Sequence, residues 1–122
     1  MIRYVLIGSY LMYMNFAAKK CIPCEAGTLP MGTEEVRAAL LQIPGWELME
    51  EKKIRREWKF KDFSEAMAFV DRAAELAEQE GHHPDILIHN WNRVRLELTT
   101  HAIKGLSEND FIVAAKINAL TL

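Results

Sequence analysis

Three histidines dominate the chemistry this sequence could carry: the adjacent pair His82 and His83, locked to Pro84, and His101 at the end of a strand-like run from Val94 to Thr100. An imidazole side chain has an ordinary pKa of roughly 6.5, so it both gives and takes a proton near neutrality. All three fall at the ends of predicted elements, where reactive groups usually sit. Two such groups serving one ligand suit a reaction in which one proton is delivered and another removed.

The elements that must position them follow from periodicity. Val36, Ala39, Leu40 and Ile43 recur at helical spacing behind a Thr33 cap and an acidic Glu34-Glu35 first turn, and Pro44-Gly45 stops the run. Trp46 to Glu51 and Ile54 to Phe60 read as two strands joined at Lys52-Lys53. In the second strand Ile54, Trp58 and Phe60 share a face with Arg56, opposite Arg55, Glu57 and Lys59.

A long helix follows, with Asp62 and Glu65 spaced as a cap and its N3 partner. Ala66, Phe69, Val70, Ala73 and Ala77 form its apolar stripe, and Gly81 ends it. The histidine pair comes directly after that stop, and Pro84 biases His83 away from helical geometry. Asp85 to His89 and Arg93 to Thr100 then make a second strand pair. In its return arm Val94, Leu96, Leu98 and Thr100 alternate with polar residues, so the pleat places His101 on the polar side. Beyond a turn at Gly105, Ser107 caps a last helix that carries Val113, Ala114, Ile117 and Leu120 inward. Asp110 falls at N3 of that helix, where a carboxylate binds backbone N–H groups. It can also orient a histidine, and the two roles are compatible.

The order helix, two strands, helix, two strands, helix, with short connections, predicts a two-layer α+β domain. Its four-stranded antiparallel sheet would have helices packed on one face. The expected organisation is an N-terminal extension over residues 1–32 and a folded domain over 33–122.

Composition limits what such a domain can do. At 122 residues, half of them hydrophobic and with a net charge of −2, the chain is one ordinary globular domain without the basic excess of a nucleic-acid surface. Met1 to Phe16 is apolar but too short for a membrane span of roughly 20 residues, and it lacks a small-residue cleavage site. A third reading is a mis-assigned start, with the native chain beginning at Met14. Cys21-Ile22-Pro23-Cys24 is a CxxC with no second ligand pair for a structural zinc and no helix start for a redox pair. It reads as two thiols on a tether in a reducing, cytoplasmic setting. No phosphate loop or nucleotide fingerprint appears, so no cofactor and no metal are expected.

Several ordered motifs together resemble the pterin-4a-carbinolamine dehydratases. They are Glu78, His82-His83-Pro84, Trp91 before Asn92-Arg93-Val94, Thr99-Thr100-His101, and Gly105-Leu106-Ser107 with Asp110, joined by Gly45-Trp46 and Phe60-Lys61-Asp62-Phe63. The resemblance covers about Thr33 to Leu120, and because relatives start near Met14 or later it implies a native chain that begins at Met14 or Asn15. It implies a lyase that dehydrates a 4a-hydroxytetrahydropterin to the quinonoid dihydropterin in pterin recycling, as a homodimer or homotetramer. It also implies an aromatic amino-acid hydroxylase in the same pathway. By position, His82 and His101 would be the proton-transfer pair, supported by Asp110 and Glu78. His83, Pro84, Thr99 and Thr100 would line the substrate. Elimination of hydroxide from C4a needs only proton transfers, in keeping with the absence of cofactor motifs.

There are departures from the pattern. The interval from Pro84 to His101 is one residue longer than in animal relatives, Ala102 stands where an acidic residue is common, and Lys104 precedes Gly105 where a second glycine is common. These bear on substrate preference more than on the reaction. His89 matches no family residue. Two other classes remain as alternatives: a non-catalytic dimerisation module of the kind animal relatives provide to a homeodomain transcription factor, and a metal site, which adjacent histidines on a stiff corner serve awkwardly.

Overall fold

Alternating apolar residues in the two central strands give the sheet one oily face, and all three helices bury their apolar stripes against it. The computed structural model describes residues 15–24 and 27–120. The elements are α1 (Thr33–Leu40), β1 (Glu47–Met49), β2 (Lys53–Lys59), α2 (Phe63–Glu80), β3 (Asp85–His89), β4 (Arg93–Leu98) and α3 (Glu108–Asn118). The strands form a single antiparallel sheet in the order β1-β2-β4-β3. This is the α+β architecture expected from the sequence. The expectation about Met1 to Tyr13 lies outside the described residues.

Register explains the layering. Ile54 pairs with Leu98, Arg56 with Leu96 and Trp58 with Val94, so these side chains share the face that packs on Phe69 of α2 and on Phe111 and Ile112 of α3. The opposite face carries Arg55, Glu57, Arg95 and Glu97, with Arg55 and Glu97 paired. Arg56 sits on the apolar face because its guanidinium has partners there. It donates to Pro44 O at 3.0 Å and to Asn118 Oδ1 at 2.6 Å, and lies 4.7 Å from the Trp58 ring centre.

Three local expectations need correction. The first hairpin turns at Glu50-Glu51 and not at Lys52-Lys53: both glutamates adopt left-handed backbone, with φ of 53° and 59°, and Lys52 N–H closes the turn onto Met49 O at 3.2 Å. Positive φ at both turn residues matches the twist of the flanking strands, and the pairing of Met49 with Lys53 and of Leu48 with Ile54 sets this register. At α1 the cap is Gly32, whose N–H donates to Glu35 Oε1 at 3.0 Å, and Thr33 is already the first helical residue. Finally, β4 ends at Leu98. Thr100 makes an isolated bridge to Gly105, and residues His101–Ile103 form a single 3-10 turn.

The long helix behaves as the sequence predicts. Asp62 accepts from Glu65 N–H at 2.8 Å, Ala66, Phe69, Ala73 and Ala77 are buried, and Gly81 takes φ of 65°. No helix among the described residues is long and apolar enough to cross a membrane.

Candidate active site

The end of α2 delivers the first histidine. His82 N–H reaches back to Ala77 O at 3.2 Å, the six-to-one bond of a helix closed by a left-handed glycine. That bond fixes the backbone of His82 two residues beyond the last helical residue, Glu80. Its ring then meets the first turn of α3, where Nε2 lies 2.6 Å from Asp110 Oδ1.

Asp110 is wholly buried and hydrogen-bonded at both oxygens. Its Oδ2 accepts from Ser107 N–H at 2.9 Å, the return half of the capping box, and from Thr100 Oγ1 at 2.7 Å. Because the Thr100 hydroxyl spends its proton on Asp110, the 2.7 Å contact between Thr100 and Ser107 is donated by Ser107. An ionised carboxylate only accepts, so His82 presents Nε2–H to Asp110. In the neutral ring Nδ1 is then the basic nitrogen.

His101 arrives by a different device. Thr100 and Gly105 exchange backbone hydrogen bonds of 2.9 and 3.4 Å, pinching residues 101–104 into a tight loop that presents His101 outward. A Cβ at Gly105 would stand 2.8 Å from Pro30 Cβ, so glycine lets Pro30 pack closely against this bridge.

A cavity of about 660 Å³ lies between these elements. His82, His83 and His101 line it together with Glu78, Thr99, Thr100 and Ala102. Glu78 Oε1 and His83 Nε2 meet at 2.6 Å on its exposed rim. Of the eight residues expected from the sequence to form the site, six line the cavity. Asp110 is wholly buried behind His82, and Pro84 is half-buried; neither lines it. Thr100 lines it but commits its hydroxyl to Asp110, and Thr99 Oγ1 donates to Lys52 O at 2.6 Å. His89 lies elsewhere, 3.0 Å from Glu57, and holds that carboxyl below its usual range.

The profile of the family described as pterin 4 alpha carbinolamine dehydratase matches residues 29–120. The chain belongs to that family. Its relatives include the mitochondrial pterin-4-alpha-carbinolamine dehydratase 2 of Arabidopsis thaliana, 47% identical over 87% of this chain and 59% of the plant protein. A protein of Rubrobacter xylanophilus that carries the same dehydratase name is 45% identical over 106 residues, 87% of this chain and 98% of its own length. The crystal structure of a transcriptional coactivator/pterin dehydratase from Brucella melitensis superposes with a TM-score of 0.69 at 38% identity, covering 74% of this chain and 96% of the other.

Sequence reasoning missed one whole side of the site. Cys21, Ile22, Pro23 and Cys24 line the cavity, as do Glu80 and Asn109. This stretch is carried by a short 3-10 turn, Phe16–Ala18, whose Phe16 ring packs 5.6 Å from that of Phe111. Burial pushes the Cys21 thiol up to about 12, with the neighbouring Glu80 carboxylate adding to the effect. Among the described residues no group of three or more His, Cys, Asp and Glu side chains is arranged to hold a metal ion.

Proposed function

We propose that this chain dehydrates a 4a-hydroxytetrahydropterin to the quinonoid dihydropterin, with His82 and His101 transferring the protons. The observation that carries the proposal is the buried Asp110 carboxylate behind His82 at the edge of a cavity that His101 also lines. Relatives named as this dehydratase support the substrate class.

The reaction balances without an electron acceptor. The C4a–O bond breaks and its electron pair leaves on oxygen, which takes a proton and departs as water. The N5–H bond gives up its proton, and its electrons become the C4a=N5 double bond. Asp110 stabilises positive charge on the His82 ring, which fits His82 as the group that accepts the N5 proton. His101, on an exposed turn in contact with solvent, fits the donor to the leaving hydroxyl. His83 would bind substrate, a role that its contact with Glu78 on the rim supports. Pro84 stiffens the corner that separates His83 from β3.

An oxygenase that forms a 4a-hydroxypterin, such as an aromatic amino-acid hydroxylase, must supply the substrate, and a cytoplasmic setting belongs to the same reading. Self-association fits it as well, because edge strand β3 exposes Ile86 and Leu87.

The direct experiment mixes purified protein with freshly generated 4a-hydroxytetrahydropterin and follows loss of its absorbance. Acceleration over the spontaneous rate, retained after treatment with a chelator, is expected. A folded protein that leaves the spontaneous rate unchanged would favour the non-catalytic binding module.

A further inference from the structure

We infer that the strap from Cys21 to Cys24 is a substrate-binding wall of the cavity, and that Asn109 is the positioning residue holding it in place. The inference rests on the dehydratase reading for the identity of the ligand. Its footing is the strap's own hydrogen bonds.

Asn109 is buried in the first turn of α3, between Glu108 and Asp110. A carboxamide carries an acceptor and two donor hydrogens, and this one spends them on the strap. Ile22 N–H donates to Asn109 Oδ1 at 3.1 Å, and Asn109 Nδ2 returns a bond to Ile22 O at 2.5 Å. The same Nδ2 lies 3.7 Å from Cys24 Sγ. Cys21 Sγ donates to the backbone O of Asn109 at 3.6 Å. The second anchor is Glu80 in the last turn of α2: it accepts from Cys21 N–H at 2.9 Å and is itself held by Lys116 at 2.6 Å.

These anchors are the immediate neighbours of the proton-transfer machinery. Asn109 precedes Asp110, and Glu80 stands two residues before His82. The strap is therefore fixed to the same two helix ends that fix His82 and Asp110, and it closes one side of the cavity that His82 lines. The wall it offers is uncharged. Ile22 and Pro23 are apolar, and the Cys21 thiol stays protonated at neutral pH. Such a surface suits a neutral fused ring, whereas an open cavity would leave one side of the ligand in water. A match of 106 residues within a chain of 122 necessarily takes in residues 17–106, so the Rubrobacter relative carries a counterpart of this stretch.

The test combines kinetics with thiol labelling. Asn109→Ala should raise KM about 5- to 30-fold, the loss expected for two hydrogen bonds, with kcat within about threefold of wild type. Alkylation of Cys21 and Cys24 by iodoacetamide, read by mass spectrometry, should become faster in the variant. In wild type, 7,8-dihydrobiopterin should slow labelling of Cys24. Should Asn109→Ala not fold, Glu80→Ala removes the acceptor of the other anchor and should accelerate labelling of Cys21 with a smaller rise in KM. Unchanged KM in a variant whose thiols label faster would overturn the wall. Unchanged labelling in folded Asn109→Ala would overturn the positioning role. Wild type that turns over no substrate, yet is protected by dihydrobiopterin, would sink the dehydratase reading while supporting the wall. Absence of protection in an active enzyme would do the reverse.

Discussion

Asp110 and His82 meet at 2.6 Å from two neighbouring helices, one at the start of α3 and one just past the end of α2. The carboxylate is fully buried, and a buried charge is costly unless it is both paired and hydrogen-bonded. Three donors meet that requirement: Ser107 N–H, the Thr100 hydroxyl and His82 Nε2–H. The arrangement leaves His82 one tautomer and one orientation.

Replacing Asp110 by Asn keeps the shape but removes the negative charge and one acceptor. We expect kcat to fall about 10- to 100-fold, less than on removal of the imidazole itself, because His82 remains present but is no longer held in one tautomer. Steady-state kinetics on the purified variant check this. A kcat equal to that of His82→Ala would assign Asp110 a larger part than orientation.

Thr100→Val should act chiefly on stability. It leaves Asp110 Oδ2 one donor short and strands the Ser107 hydroxyl, for a cost of about 1–3 kcal/mol. Urea denaturation followed by tryptophan fluorescence would read it as a lower midpoint with unchanged slope. A midpoint equal to wild type would show that water replaces the threonine.

Glu80 predicts a pH dependence of stability. Burial alone would raise its pKa, but the Cys21 N–H and Lys116 outweigh that and hold the carboxyl below its ordinary 4.5. A depressed folded-state pKa gives stability that is present above the unfolded value and is lost as pH falls through the folded one. The stability difference between wild type and Glu80→Gln should therefore be constant near neutrality and shrink below about pH 4.5. Denaturation curves at a series of pH values test the sign. A difference that grows on acidification would contradict it.

Much of this site was legible because its signals are local. The Asp62 cap, the stop at Gly81 and the Ser107–Asp110 box each lie within a few residues of the side chain they position, and strand alternation predicted that Thr100 points inward and His101 outward. Other features were hidden for stated physical reasons. Glu50-Glu51 carries no glycine or asparagine to advertise a left-handed turn, which is set by the pairing of Met49 with Lys53 across β1 and β2. The docking of Cys21 to Cys24 depends on Asn109, 87 residues away from Ile22, and no periodicity links residues so distant. What the sequence showed there was a CxxC without an assigned task and an unremarked asparagine beside a key aspartate.

The most direct test of the account is a double-mutant cycle on His82 and His101. Proton transfer by a placed side chain is worth roughly 10²- to 10⁴-fold, so His82→Ala and His101→Ala should each remove most of the acceleration of 4a-hydroxytetrahydropterin dehydration. The double variant should lose far less than the product of the two single losses, because the pair acts on one reaction coordinate. Folded single variants that retain near-wild-type kcat would contradict histidine acid–base catalysis at this site.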